Sequence, residues 1–139
     1  MTGTALETRA RGGDSEKLTI NLGVVDLGQI DLLVQEGFYS NRTDLIRTAI
    51  RNQLSVHGEA LRQTVARRTL HLGLQRITRV ELERAHAAGE TLHIRVVGLA
   101  RIDDDVTPEL ARDAIGSVTV LGAFHASPTV RRALADRIA

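Results

Sequence analysis

Near the start of the chain, the hydrophobic positions change from one period to another. Residues 17–22 alternate strictly between polar and apolar, a pattern that predicts a strand with one buried face. From Asp26 onward the apolar residues recur at helical spacing, which predicts a helix packed along one side. This helix is expected to end at Gly37, because glycine tolerates the left-handed conformation that closes a helix.

A second helix is predicted to follow a short turn. Asn41 is a suitable N-cap residue, Asp44 lies in the first turn, and the apolar pattern continues to about residue 55. Because a lone strand has two unpaired edges, the strand and two helices of residues 16–56 predict a dimer whose sheet needs a second chain. The predicted dimer core consists of apolar residues of the strand and the second helix: Leu18, Ile20, Leu22, Leu45, Ile46 and Ile50.

The rest of the chain follows a longer repeat. Residues 57–68 are polar and basic, and we interpret them as a helical connector. In residues 69–139, Gly73, Gly98 and Gly122 stand 25 and 24 residues apart, each within an apolar run. Alternating positions precede the second and third glycines and helix-like spacing follows them, which predicts parallel strands joined by helices. The expected fold class is therefore α+β.

The ends of this repeat differ in polarity. His71 and Gln75 interrupt the apolar face of the first unit, as suits a capping unit. The last unit is fully apolar at Val118, Val120 and Phe124, and few residues follow it. We therefore expect these three residues to lie at an uncovered edge that joins dimers into higher oligomers.

Composition narrows the possible functions. The chain has no cysteine, which excludes disulfides and thiolate metal sites, and only 2% aromatic residues, which leaves no platform for base stacking. The five histidines show no metal-ligand spacing, and no nucleophile or phosphate-loop motif is present. We expect no metal, no cofactor and no enzymatic activity. The net charge of +1 restricts any nucleic-acid binding to a local surface.

The remaining segments carry no targeting or membrane signal. Residues 1–15 are small and polar and are interpreted as a flexible arm, without the apolar core of a signal peptide. No apolar stretch is long enough for a membrane span. A cytoplasmic protein is expected.

The segment Lys17–Leu54 resembles the ribbon-helix-helix family of DNA-binding proteins, of the Arc/MetJ/CopG type. The resemblance is carried by the alternating strand, the turn G-F-Y-S-N-R-T-D and the second helix L-I-R-T-A-I-R-N-Q-L. Gly23 departs from the pattern, since many members carry a proline there. The resemblance implies an intertwined dimer whose two-stranded ribbon enters the major groove of double-stranded DNA. The C-terminal repeat loosely resembles leucine-rich-type β/α solenoids.

The same resemblance implies which residues contact DNA. With the apolar residues of the strand buried, Lys17, Thr19 and Asn21 face outward, and their side chains suit base edges. The start of the second helix is expected on a phosphate, through Asn41, Arg42 and Thr43. Arg47 and Arg51 are expected to be surface residues or to form pairs within the dimer.

These expectations define one leading function and two alternatives. The leading one is a sequence-specific transcriptional repressor, an obligate dimer whose C-terminal module drives higher assembly or binds an unidentified protein. An antitoxin would combine the same N-terminal unit with a segment that folds on a toxin. A polymerising structural protein would bind DNA only secondarily.

Overall fold

Helices precede a sheet in the computed structural model, which describes residues 15–139. The described chain divides into two units, Ser15–Thr64 and Val65–Ala139. The elements, in chain order, are helices α1 (Val24–Gln35), α2 (Arg42–Val56) and α3 (Gly58–Arg67), strand β1 (His71–Ile77), helix α4 (Arg79–Ala87), strand β2 (Leu92–Ile102), helix α5 (Pro108–Ala114), strand β3 (Ile115–His125), helix α6 (Pro128–Ala133) and a 3₁₀ turn (Ala135–Arg137). Residues 1–14 of the predicted arm lie outside the described residues.

Helix α1 ends as its sequence predicts. Gly37 adopts a φ of +85°, and the backbone N–H groups of Gly37 and Phe38 donate to the carbonyl oxygens of Val34 and Leu33. This pair of hydrogen bonds satisfies carbonyls that the end of a helix leaves open. The prediction of a helix end at Gly37 is confirmed, although α1 begins two residues earlier than the pattern predicts.

Helix α2 begins with reciprocal capping. The Asn41 side chain accepts a hydrogen bond from the backbone N–H of Asp44 at 2.8 Å, and the Asp44 carboxylate accepts one from the backbone N–H of Ser40 at 3.0 Å. Two N–H groups that the helix itself cannot satisfy are thereby bonded. The predicted N-cap is confirmed.

Residues 15–23 carry neither a helix nor an assigned strand. A strand is defined by hydrogen bonds to a neighbouring strand, and the three-stranded sheet of the described residues does not include this segment. Its apolar side chains remain accessible, with Leu18 81% and Leu22 41% exposed. The strand and its pairing with a second chain therefore stay a prediction.

The second unit contains the predicted parallel sheet, with strand order β1-β2-β3. Gly73, Gly98 and Gly122 stand side by side across the three strands. Helices α4, α5 and α6 pack on one face and close a buried core. Its fully buried larger side chains are Ile77, Leu82, Ile94, Val96, Ile102, Ile115, Val118, Val130 and Leu134.

Each helix of the second unit starts at a hydroxyl N-cap. The side chains of Thr78, Thr107 and Ser127 each accept a hydrogen bond from a backbone N–H three residues later. Pro108 and Pro128 occupy the first helical position, where a missing N–H costs nothing. Each cap fixes the residue at which its loop ends and its helix begins. The helix then packs back across the sheet.

The expectation of an uncovered last edge is wrong at Val118. Its side chain is fully buried in the core of its own chain, and its carbonyl oxygen accepts a hydrogen bond from the N–H of Ala139 at 2.9 Å. Ile138 forms a parallel bridge at the same point, so the end of the chain covers this part of β3. Val120 and Phe124 are half-buried against the same core. The three residues therefore belong to the interior side of the sheet.

Two arginines hold the C-terminal turn. Arg112 donates to both carboxylate oxygens of Asp136, at 2.8 and 3.2 Å, and this hydrogen bonding lowers the pKa of Asp136. Arg137 donates to the carbonyl oxygens of Arg112 and Ile115 at the end of α5. The last residues are thus attached to the helix layer by charge-assisted hydrogen bonds.

The residue of α4 that faces the core is not the one expected when the three repeat units are aligned on their glycines. Counting from the glycines assigns the inward position to Glu81, whereas the structure buries Leu82, one residue later. β1 ends at Ile77 and Thr78 caps α4 directly, so the connection after β1 is short. The loop length, rather than the distance from the glycine, sets which side of the helix faces the sheet.

Candidate nucleic-acid interface

The segment before α1 contains the residues predicted to reach base edges. Lys17, Thr19 and Asn21 are exposed, and so are the apolar residues between them. One chain alone therefore does not separate an outward face from a buried face. That separation requires a partner strand, so base contact by these three residues stays a prediction.

The start of α2 is the second part of the candidate interface. The N–H groups in the first turn of a helix have no acceptor within the helix, and the helix dipole adds positive charge there. Asn41 and Thr43 lie at this point, as the sequence predicts for a phosphate contact. Helix N-termini with these properties bind phosphate groups.

An open concavity of about 400 Å³ adjoins this helix end. Its lining residues are Ser40, Asn41, Thr43, Asp44, Arg47 and Arg51. The two arginines and the one carboxylate give the lining a formal charge of +1 (two positive, one negative). The Asp44 carboxylate already accepts a hydrogen bond from the backbone N–H of Ser40. The two arginines are therefore the main groups in the concavity that attract an anion.

Arg42 forms an ion pair with the preceding helix. Its guanidinium donates to both carboxylate oxygens of Asp31 in α1, at 2.8 and 2.9 Å. This bidentate pairing lowers the pKa of Asp31 and raises that of Arg42. The ion pair connects the two helices, and the phosphate contact expected of Arg42 stays a prediction.

Arg47 and Arg51 are the residues that sequence reasoning assigned elsewhere. They are one helical turn apart on α2 and share the concavity with the N-cap. Their positions four and eight residues after Thr43 contain the signal, because residues spaced by about 3.6 return to the same side of a helix.

The histidines and acidic residues do not form a further site in the described chain. Among residues 15–139, no group of three or more His, Cys, Asp or Glu side chains is arranged to hold a metal ion. His93 instead contacts the Ser117 hydroxyl at 2.8 Å. No helix in this range is both long and apolar enough to cross a membrane.

Comparison with known proteins identifies a family for this chain. The model of the ribbon-helix-helix transcriptional regulator family matches residues 13–131, a range that includes both the helical unit and most of the sheet unit. No curated protein and no solved structure matches the chain.

Proposed function

Because the chain belongs to the ribbon-helix-helix transcriptional regulator family, we propose that it is a repressor that binds its operator as a dimer. In this proposal two copies of residues 15–23 pair as an antiparallel ribbon, and the ribbon enters the major groove. Occupancy of the operator then blocks transcription. We place this activity in the cytoplasm, where the DNA target of such a regulator lies.

The observation that carries the proposal is the exposed apolar side chains of residues 17–23, before α1. This segment presents exposed Leu18, Ile20 and Leu22 immediately before two helices that have no fully buried side chain in the single chain. Leaving this much aliphatic surface in water is unfavourable, since burying one such side chain stabilises a protein by about 1.5–3 kcal/mol. A second copy supplies both the missing strand and the missing cover, which supports an obligate dimer.

The DNA contacts divide into two classes. Lys17, Thr19 and Asn21 are proposed to read base edges, since amide and ammonium groups pair with adenine and guanine in the major groove. The backbone N–H groups at residues 41–43 are proposed to bind a phosphate. Arg47 and Arg51 are proposed to join Arg42 in binding that phosphate, because they line the concavity at that helix end.

The second unit is proposed to be an assembly module. Its core is closed within one chain, so it does not need a partner in order to fold. This argues against the antitoxin alternative, in which the C-terminal segment orders on its toxin. Polymerisation through the last edge is likewise disfavoured, because the chain end covers β3 at Val118.

Two variants of the DNA-binding surface test the proposal. Operator fragments selected by the full-length protein from random DNA serve as the specific target, and unselected DNA serves as the reference. We expect Asn21→Ala to lose about 1–3 kcal/mol on selected DNA and little on unselected DNA, because a base contact carries discrimination. Arg47→Gln is the matched backbone variant, expected to weaken binding to both and to reduce the salt slope by about one.

If Asn21→Ala lost the same binding affinity on both kinds of DNA, the assignment of base contacts to the ribbon would be wrong. Absence of any sequence selected by the wild-type protein, measured at a stated salt concentration, would remove the repressor proposal itself.

A further inference from the structure

The ion pair of Asp31 and Arg42 lies at the helix end that is proposed to bind a DNA phosphate. Arg42 is the first residue of α2, and its Nε and Nη2 atoms donate to the two carboxylate oxygens of Asp31 in α1, at 2.8 and 2.9 Å. A cation at the start of α2 is therefore bound to an anion of its own chain before any DNA arrives.

Arg42 does not line the concavity at the start of α2. The residues on either side of it, Asn41 and Thr43, do line that concavity, together with Arg47 and Arg51. The Arg42 side chain extends to α1 instead. To contact a phosphate in the concavity, its guanidinium has to turn away from Asp31.

The other two arginines of this helix differ from Arg42 in this respect. Within the described residues, neither Arg47 nor Arg51 forms an ion pair or a side-chain hydrogen bond. Their charge is available to an incoming phosphate without the loss of an internal contact. Arg42 alone among the three has to exchange one anion for another.

Such an exchange is feasible because the ion pair is accessible to water. The side chain of Arg42 is 56% exposed and that of Asp31 is 43% exposed. Exposed ion pairs are weak, since water and salt screen them and two side chains lose freedom when they pair. A phosphate offers the guanidinium the same two-oxygen geometry as a carboxylate does.

We propose that Asp31 competes with a DNA phosphate for the Arg42 guanidinium and thereby limits the affinity of the protein for the DNA backbone. In the free protein Arg42 is bound to Asp31. In the complex Arg42 is bound to the phosphate, and the Asp31 carboxylate is left unpaired. The lost ion pair and the repulsion between carboxylate and phosphate both reduce the affinity. The inference rests on the proposed function and adds a specific role for Asp31 to it.

The competition acts on every DNA sequence. Contacts to phosphates orient a protein on the duplex but contain no sequence information. Removing the Asp31 carboxylate should therefore raise the affinity for selected and unselected DNA by the same factor. The ratio of the two affinities, which depends on the base contacts of the ribbon, should not change.

The same exchange predicts a change in salt dependence. A phosphate neutralised by an arginine releases a condensed cation, and this release makes binding weaker at high salt. In the wild-type protein the Asp31 carboxylate becomes free on binding and attracts a cation, which offsets that release. We therefore expect the salt slope of Asp31→Asn to be steeper by about one per subunit.

Binding of the full-length protein to selected and unselected DNA, measured over a range of salt, tests the competition. Asp31→Asn should bind both DNAs roughly three- to twentyfold more tightly, because a dimer contains two exposed ion pairs. Arg42→Gln should lose more affinity in the Asp31→Asn background than in the wild-type background. Arg47→Gln is the matched control and should lose the same affinity in both backgrounds.

A second control separates the ion pair from the overall charge of α1. Glu36→Gln removes an exposed carboxylate that forms no ion pair in the described part of the chain, and it should change DNA binding much less than Asp31→Asn. In the wild-type background, Arg42→Gln should also lose less affinity than Arg47→Gln. This last comparison does not depend on the folding of any Asp31 variant.

Three results would overturn the inference. The first is a dimeric Asp31→Asn protein, verified by light scattering, that binds DNA as the wild type does or more weakly. The second is a gain from Asp31→Asn that persists in full when Arg42→Gln is also present. The third is a loss for Arg42→Gln in the wild-type background that equals or exceeds the loss for Arg47→Gln. Failure of the wild-type protein to select any DNA sequence would instead reject the proposed function.

Discussion

At the scale of single residues, the glycine row sets how closely the three strands approach. Gly73, Gly98 and Gly122 adopt φ angles of +129°, +137° and +120°, a region that side chains rarely enter. A Cβ atom on Gly98 would collide with the carbonyl oxygen of Gly73, and one on Gly122 with that of Gly98. A Cβ on Gly73 would meet nothing closer than His71, at 4.0 Å.

This asymmetry predicts different outcomes for two equivalent substitutions. Gly73→Ala should cost about 1–3 kcal/mol, the cost of the unfavourable backbone conformation alone. Gly98→Ala adds a backbone clash in the middle strand and should lose clearly more, up to loss of the folded sheet. Urea unfolding of the full chain, followed by circular dichroism, measures both; equal losses would show that the close approach does not matter.

A second residue-scale feature is strain after α3. Thr69 has a φ of +53°, and the N–H groups of Thr69 and Leu70 donate to the carbonyls of Ala66 and Val65. This is the usual glycine-containing helix end occupied by a β-branched residue. Thr69→Gly should therefore stabilise the protein by about 1 kcal/mol. Thr69→Ala keeps the strained conformation, so a similar gain in that control would contradict the explanation.

At the scale of elements, the ion pair of Asp31 and Arg42 connects α1 to α2. The guanidinium hydrogen bonds lower the pKa of Asp31, so the folded state holds its carboxylate ionised to lower pH than the unfolded state does. The contribution to stability is therefore present above the unfolded pKa of about 3.9 and disappears as pH falls through the lower folded value. Both side chains are about half exposed, so the effect is small and screened.

The expected measurement is the thermal midpoint between pH 2 and pH 6, at about 50 mM salt where screening is weak. Asp31→Asn should lower the thermal midpoint at pH 6. As the pH is lowered to 2, the midpoint of this variant should decrease less than that of the wild-type protein. Glu36→Gln, which removes an exposed carboxylate at the end of α1, is the control and should leave that fall unchanged. A wild-type curve that overlays Asp31→Asn would rule out a contribution from the pair.

At the scale of the whole molecule, the two units differ in how they reach stability. The sheet unit buries a core within one chain, whereas the helical unit has no fully buried residue in the single chain. We therefore expect Leu22→Asp to abolish dimerisation and DNA binding together, since an unpaired buried carboxylate costs several kcal/mol. The sheet unit should remain folded.

Light scattering and amide hydrogen exchange distinguish these states. Protection should persist in β2 and vanish from α1 and α2 in Leu22→Asp. Thr19→Asp places the same charge on the predicted outward side and should weaken DNA binding while keeping the dimer. A dimeric Leu22→Asp protein with protected helices would mean that the strand faces the other way.

The sequence alone determined the features that depend on neighbouring residues. Gly37 ends α1 and Asn41 caps α2, because a backbone hydrogen bond or a φ angle involves residues only a few positions apart. The parallel sheet was predictable from the nearly equal spacing of the glycines, since equivalent positions of similar units stand side by side in a parallel register.

Only the tertiary structure decided the features that join distant residues. Arg42 pairs with Asp31, the chain end covers Val118, and Leu82 rather than Glu81 faces the core. Alternation shows that a strand has two faces, but it does not show which face the helices cover when both are aliphatic. In β2 the helices cover the face that contains Ile94 and Val96, which only the three-dimensional structure shows.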